Sequence, residues 1–570
     1  MPLIDAAAPA AGVDLLDRPD DSLDGISVLP SEEEKTVAKA ARFTKVQASV
    51  RILGLALVWA CMVFWVQDLT TAPTLWKTPD YTTKDLTFRF LLNFSLATAV
   101  LSFLSARWVG VLAIINLWAS TAVLSYFVNY QRALSWLTIS NQAGEGGAVA
   151  AVALEDAAPY LAVLIPLSFA IVFFFYRWRP RLGRQTKIGG AALAVYAMTF
   201  AGLDLDHKPL KYLEKFETAD GVAHGYGYAI TWAAESYYVD YDGIRDNAMK
   251  RLAQPTERLL EHVAPVTIGD RLAVIQVESL DDAVINFDIE GREVTPRLNE
   301  WANAGSYLRV QAPKRNGSCD SDFALLFGAL PSTRMAPYRV PEFPFERSIT
   351  NTLHDRGYNT SIYHNVSGNF FERRTAFGHM NFDRSTFREE MLERIDIEDP
   401  QWTLEDRVML EMATNERENP DKFFEFLITG TSHTPYLFSL GDHERTFFPK
   451  PNTRTEAYFD TINYVDKYIG EYVDNLPDNT VVVIYGDHWS RGRHKGVGYA
   501  SLKRRGFGIV PALLFRKTAD GVEPLFEIDG RVSHSANLRL VDMTAWLRES
   551  LGVAPAYEGL VDIEQQTASL

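Results

Sequence analysis

The chain has 570 residues, several times a typical domain, so more than one domain is expected. Apolar residues make up 47% and charged residues 22%, which excludes a disordered, collagen-like or disulfide-scaffold protein. Fifty-six Lys and Arg against 72 Asp and Glu give a formal net charge of −16, a poor match to nucleic-acid binding, which depends on neutralising phosphates. The two cysteines, Cys61 in an apolar run and Cys319 in a polar loop, predict no disulfide.

Residues 1–34 are rich in Ala, Asp, Glu and Pro, and Arg18 is their one basic residue. They carry no periodic apolar face and no basic region leading into an apolar core, so they read as a disordered tail and not a signal peptide. Five apolar stretches follow, at 50–67, 89–106, 108–130, 158–176 and 188–203. A spanning helix needs about 20 mostly apolar residues. A lone run of this kind fits a buried soluble helix, but five clustered together read as membrane spans. Lys and Arg set their direction. Lys35, Lys39, Arg42, Lys45 and Arg51 precede the first span, and Arg177, Arg179, Arg181, Arg184 and Lys187 lie between the fourth and fifth. The 131–157 loop carries Arg132 alone, and Arg107 alone separates the second and third spans. Five spans with the basic clusters inside place everything after 203 outside. Trp59, Trp65, Trp108 and Trp178 lie in or beside the spans as candidate interfacial anchors.

Residues 204–269 are polar and Tyr-rich and read as a connecting helix and loops. Short β-branched runs then alternate with helical patterns: 272–279, 360–364, 423–429, 481–487 and 511–515. Near-continuous apolar strands predict a sheet covered on both faces, usually parallel. Thr295-Pro296 predicts a helix start and Gly305 its end. Over 455–474, Tyr458, Ile462, Val465 and Ile469 share one helix face.

In open α/β sheets, sites form beyond the carboxyl ends of the strands. Glu278 follows one strand, Asp487 and His488 another, and His433 a third, while the small polar loop NGSCDSDF, 316–323, carries the hydroxyl of Ser318. Two carboxylates and an imidazole can hold a divalent cation, and a serine hydroxyl as fourth ligand would have its pKa lowered for attack on phosphorus or sulfur esters. Each residue also has a plain reading, since Asp-His after a strand commonly caps a turn.

The motifs VIQVESL (274–280), EVTPRLNEWANAG (293–305), NGSCDSDFALLFGALPS (316–332), GYNTSIYHNVSGNFFERR (357–374), TGTSHTPY (429–436) and VVVIYGDHW (481–489) occur in one order. In that order and separation the chain resembles the membrane-anchored lipoteichoic acid synthase and phosphoglycerol transferase family of the alkaline phosphatase and sulfatase superfamily. The resemblance implies a multi-span α-helical membrane domain plus an α/β alkaline-phosphatase-like domain with a mostly parallel central sheet. It divides the chain into a disordered cytoplasmic tail (1–45), five transmembrane helices (46–205), a linker region (206–269), an extracytoplasmic catalytic domain (270–555) and a C-terminal tail (556–570).

Carried over by motif, Glu278, Asp487 and His488 correspond to the metal ligands and Ser318 to the nucleophile and fourth ligand, where the family often has threonine. His433, Arg373 and Phe371 correspond to substrate-binding residues, with Phe371 standing where tryptophan is common. The resemblance implies one divalent ion, Mn or Mg rather than Zn. It also implies a phosphatidylglycerol-like lipid donor and a glycan or glycolipid acceptor, at an inner membrane crossed several times. Cys319 invites a sulfatase reading, but C-D-S-D-F lacks the proline and arginine of the sulfatase maturation motif. Cys319 and His494 are further candidates for approaching the metal or phosphate, and His364 reads as a structural hydrogen-bonding residue. Two alternatives stand beside this one: a phosphoethanolamine transferase, whose periplasmic domains normally hold several disulfides, and a non-catalytic lipid- or partner-binding membrane protein with the same fold.

Overall fold

The computed structural model describes residues 32–75, 83–130, 133–142, 160–173, 186–207, 220–237, 239–252, 258–314, 316–332, 334–395, 402–434, 436, 445–490, 509–528 and 538–553. Four helices among them are long and apolar enough to cross a membrane: Val46–Thr71, Leu86–Phe103, Arg107–Phe127 and Thr186–Leu203. They coincide with four of the five expected stretches. The remaining stretch, 158–176, contains the shorter apolar helix Tyr160–Phe173, and its flanks lie outside the described residues. The first helix begins at Glu32, inside the region read from sequence as a tail up to residue 45. Its opening EEEKTVAKAARF is rich in Ala, Glu and Lys, which favour helix without any packing. Residues 1–31 and 554–570, the bulk of the expected tails, lie outside the described residues. In the linker region the chain forms three short helices, Asp220–Tyr226, Tyr228–Tyr237 and Tyr241–Leu252.

The α/β domain is built on one eight-stranded sheet. Its strands are β1 (Arg271–Val277), β4 (Ser306–Val310), β5 (Asn359–His364), β6 (Arg384–Phe387), β7 (Phe423–Ile428), β8 (Thr480–Gly486), β9 (Val510–Thr518) and β10 (Gly521–Pro524), while β2 (Asp288–Ile289) and β3 (Arg292–Glu293) make a separate small ribbon. The order is β10-β9-β8-β1-β7-β5-β6, and β4 shares the outer edge of β9 with β10. The strands β8, β1, β7, β5 and β6 are parallel. The stretch 511–515 becomes β9, which runs antiparallel to β8. Strand hydrophobicity reports that both faces are covered and does not encode direction.

Alternation along the strands explains the continuous apolar runs. Val274, Phe424, Phe426, Val481 and Val483 face one core, with Phe323, Phe327 and Trp546. Ala273, Ile275, Leu427, Val482 and Ile484 face the other, with Trp301, Tyr458 and Ile462. The helix Arg454–Asp474 buries Tyr458, Ile462, Val465 and Ile469 as the periodicity requires. It opens with a capping box, in which Thr453 accepts from the Glu456 amide and Glu456 reaches back. The helix Pro296–Ala304 starts and ends where Thr295-Pro296 and Gly305 predict, but the Thr295 hydroxyl does not cap it. Instead it donates to the Val284 carbonyl at 3.1 Å. The loop expected over 316–323 is half helix. Cys319–Phe327 is helical and wholly buried, so Cys319 packs in the first core and is not a loop residue. Neither cysteine is in a disulfide.

Candidate metal centre and active site

Parallel register brings the expected residues to one edge of the sheet. Val277 of β1 pairs with Gly486 of β8, and Gln276 with Ile428 of β7, so Glu278, Asp487 and Thr429 leave their strands side by side. Ser279 then turns with φ of 55°, a left-handed conformation that costs a non-glycine residue about 1 kcal/mol or more. The turn is held at both ends. The Ser279 amide donates to Asp487 Oδ1 at 2.7 Å and the Ser279 hydroxyl to Glu278 Oε1 at 2.8 Å. The TGTSH loop is stitched to the same turn: the Glu278 amide donates to Thr429 Oγ1 at 2.9 Å, and Ser432 Oγ donates to the Glu278 carbonyl at 2.6 Å.

Glu278, Asp487 and His488 are buried, and their ligand atoms lie within 4.8 Å of one another, the one such group among the described residues. His488 Nε2 is 3.5 Å from Glu278 Oε1 and 3.4 Å from Asp487 Oδ2. His488 Nδ1 sits 3.1 Å from the Trp489 carbonyl, which can only accept. In the neutral ring Nδ1 therefore carries the proton, and Nε2 turns its lone pair toward the two carboxylates. Metal-bound histidines commonly direct their second ring N–H to a carbonyl in this way. Asp487 Oδ1 accepts from two amides, yet Asp487 Oδ2 is buried with no hydrogen-bond partner. Three acceptors converging in a buried space, one of them orphaned, fit a divalent cation. Burial opposes charge on both carboxyls. Where their rings are protonated, His488 and then His433 nonetheless hold Glu278 low, at about 2, while burial and the Glu278 charge push Asp487 well above the ordinary carboxylate range.

Ser318 stands at the start of the Cys319–Phe327 helix. Its backbone carbonyl accepts from Gln276 Nε2 at 3.4 Å, and Tyr485 donates to Gln276 Oε1 at 2.6 Å, which ties the turn to β1 and β8. Arg373 Nη2 lies 3.5 Å from Ser318 Oγ. Arg373 is wholly buried: Nε donates to Asp322 Oδ2 at 2.8 Å, and Nη1 faces His364 Nε2 at 3.4 Å. Burial works against the guanidinium charge, but Asp322 more than compensates and the Arg373 pKa is raised. Burial pushes the Asp322 carboxyl up to about 6 even with Arg373 beside it. His364 Nδ1 donates to the Ile428 carbonyl at 2.9 Å, and burial followed by Arg373 lowers the ring to about 3, so it is a neutral acceptor.

Phe371 and Glu372 both adopt left-handed backbone, with φ of 59° and 64°, and this kink delivers Arg373 inward. The Phe371 ring stacks 5.3 Å from the Arg373 guanidinium. It also covers Gly317, where φ is 144° and a Cβ would sit 2.4 Å from Phe371 Cζ, so glycine alone fits. His433 is half-buried, on the loop that follows β7. Its Nδ1 donates to the Thr434 carbonyl at 2.6 Å and its ring meets Trp402 edge-on at 4.7 Å. The other candidate, His494, lies outside the described residues. Cys319 is not in the ligand group.

The sulfatase family profile matches residues 272–508, which hold every one of these side chains. Residues 272–508 are a sulfatase-family domain. Among curated proteins, the chain is similar to lipoteichoic acid synthase of Staphylococcus saprophyticus, with 25% identity over 68% of this chain and 63% of that protein. It is similar also to lipoteichoic acid synthase of Staphylococcus aureus, at 23% over 71% and 65%. The chain thus spans just under two thirds of the length of these relatives. Among solved structures, the lipoteichoic acid synthase LtaP from Listeria monocytogenes shares 20% identity over 54% of this chain and 78% of that chain, with a TM-score of 0.43. The lipooligosaccharide phosphoethanolamine transferase EptA from Neisseria meningitidis shares 15% over 86% and 93%, with a TM-score of 0.48.

Within the sulfatase-family domain, several residues of the site escape sequence reading. Asp322, the partner of Arg373, lies in a helix whose remaining residues are mostly apolar, and an acidic residue in such a run is the available signal. Trp402 carries no motif. Gln276 alternates with apolar residues along β1 and is visible only as a polar side chain inside an apolar strand.

Proposed function

We propose that the protein is a metal-dependent phosphoglycerol transferase, moving glycerol phosphate from a phosphatidylglycerol-like lipid to a glycan, glycolipid or polyglycerolphosphate acceptor outside an inner membrane. The observation that carries the reading is the buried convergence of Glu278, Asp487 and His488 at the carboxyl edge of the parallel strands, with the Ser318 turn tied to the same edge through Gln276. A divalent cation held by these three side chains and Ser318, manganese or magnesium on the family resemblance, would lower the pKa of the serine hydroxyl and offset phosphoryl charge.

The chain's own residues then divide the chemistry. Ser318 Oγ attacks the phosphodiester phosphorus, forming a serine–phosphate bond as the bond from phosphorus to the diacylglycerol oxygen breaks. Arg373 faces the attacking oxygen and offsets charge that accumulates there. Asp322 and neutral His364 keep that guanidinium aimed. His433, half-buried beside Trp402, holds the head-group or passes the proton that the departing oxygen needs. An acceptor hydroxyl reverses the step and releases Ser318. The apolar helices suit a donor that never leaves the bilayer.

The test is Ser318→Ala in the full chain with phosphatidylglycerol labelled in the glycerol head-group. The unaltered enzyme should carry labelled glycerol phosphate on Ser318, and the variant should fold but carry none. Label transfer by the variant refutes the nucleophile. Ethanolamine phosphate trapped on Ser318 of the unaltered enzyme would move the reading to a phosphoethanolamine transferase.

A further inference from the structure

The linker helices are pinned at two places by buried polar contacts. At the first, Arg89 Nη1 donates to His224 Nε2 at 2.6 Å. The His224 Nδ1–H donates to Thr71 Oγ1 at 2.6 Å, whose hydroxyl donates to the Gln67 carbonyl at 2.6 Å. Gln67 Nε2 in turn donates to the His224 carbonyl, and Asn93 donates to Gln67 Oε1 at 3.0 Å. Burial and then Arg89 hold His224 at about 2, so its ring is neutral and its tautomer fixed. This contact joins the Asp220–Tyr226 helix to the ends of two spans.

At the second, Glu235 of the Tyr228–Tyr237 helix is buried between the membrane helices and the sulfatase-family domain. Its Oε1 lies 3.0 Å from Arg334 Nη2, with both side chains at most 6% exposed. Its Oε2 accepts from the Trp136 amide at 2.6 Å, at the start of the short helix that follows the third span. Trp232 Nε1 closes the same junction by donating to the Leu134 carbonyl at 2.8 Å. The path continues inward. The Arg334 amide donates to Ser332 Oγ at 3.2 Å, and the Ser332 carbonyl accepts from Asn316 Nδ2 at 2.8 Å. Asn316 lies two residues before Ser318. The turn itself is held separately, by the Asn316 amide and Nδ2 on Asp320 at 2.7 and 2.8 Å.

We propose that Glu235 and Arg334 are positioning residues that fix the pose of the Ser318 turn over the bilayer, so that a phosphodiester still anchored in the membrane reaches the nucleophile. This rests on the reading of Ser318 given above. A substrate in water can approach from any direction, whereas a lipid head-group presents itself at one depth and one angle. A pose error of about 1 Å costs on the order of a hundredfold in rate for an oriented reaction. Because the Asn316–Asp320 bonds do not depend on Glu235, loss of the pair spares chemistry on soluble substrates.

The experiment uses the full chain reconstituted in phosphatidylglycerol vesicles, with bis(p-nitrophenyl) phosphate as the soluble diester. Glu235→Ala and Arg334→Ala are each expected to lower kcat/KM for the vesicle lipid on the order of a hundredfold. Turnover of the soluble diester should change little, because the Asn316–Asp320 bonds hold the Ser318 turn without Glu235. The exchanged pair, Glu235→Arg with Arg334→Glu, should recover part of the lipid activity. A second readout does not need activity: nitroxide labels at Leu69 and Asp520, in a Cys61→Ser background, should give a narrow distance distribution that broadens in Glu235→Ala. Parallel loss on both substrates, undiminished lipid turnover, or an unchanged distribution would each overturn the coupling. Silence of the unaltered enzyme toward both substrates would instead refute the proposed function, and the label distances would still decide the coupling.

Discussion

The Arg373–Asp322 pair makes an asymmetric prediction. Both side chains are at most 1% exposed and joined at 2.8 Å, so removing one partner strands the other in a dry interior. Loss of one member of such a pair costs about 3–5 kcal/mol, but the two members differ in how they escape. A stranded guanidinium cannot shed its proton, since arginine stays charged at any working pH. A stranded carboxyl can take one up, and burial already pushes Asp322 to about 6. Asp322→Ala should therefore reach the full 3–5 kcal/mol, about 6–10 °C in Tm for a domain of this size. Arg373→Met should cost roughly half as much, and less at pH 5 than at pH 8, because below the raised Asp322 pKa the carboxyl is neutral. The double variant should sit close to Arg373→Met and well short of the sum, with a coupling of about 2 kcal/mol or more. Thermal melts of the four proteins at both pH values measure this cycle, and transferase turnover should be lost in all three variants. Equal single costs, or additive costs in the double variant, would show that the pair is not a desolvated ion pair and that Arg373 is held by something else.

Three further outcomes follow from the geometry. Chelation should lower Tm as well as silence turnover, and Mn²⁺ or Mg²⁺ at about a hundred times its Kd should restore about 2.7 kcal/mol; melts indifferent to chelator would remove Glu278, Asp487 and His488 as a cation site. Gly317→Ala places a methyl against Phe371 and forces a left-handed alanine, so a loss of about 1–3 kcal/mol together with a large drop in turnover is expected, and a neutral result in stability and rate would refute the ring's placement. Asp466, which accepts from the amides of Arg297 and Leu298 at 3.0 and 2.8 Å, is pushed by burial to about 7. Its folded-state pKa is raised, so its contribution is complete below about pH 4 and is lost as pH rises through 7. Asp466→Asn, uncharged throughout, should make Tm fall less between pH 5 and pH 8 than in the unaltered protein, and parallel pH profiles would contradict the assignment.

The sequence already carried the division between membrane and sheet portions, because a bilayer demands long apolar helices whatever the partners are. It carried the strands β1, β7 and β8 too, because strands buried on both faces are mostly apolar, and β5 as a short β-branched run. The candidate metal ligands were legible as polar residues placed where those runs stop. Tertiary structure decided the rest. The direction of β9 shows only in its pairing, where Thr480 meets Lys517 and Tyr485 meets Ala512. The turn read as a loop at 319–323 is helical because its acidic residues are satisfied from outside: Asp320 by Asn316, and Asp322 by an arginine 51 residues away. Register placed Glu278 beside Asp487, although 208 residues separate the Ser279 amide from the Asp487 carboxyl it meets. The Glu235–Arg334 junction has no sequence signature, since an ion pair depends on distance in space, and that distance exists only once membrane helices and sheet have packed. Local physics is written in local residues. The match of charges across the fold is written in the packing.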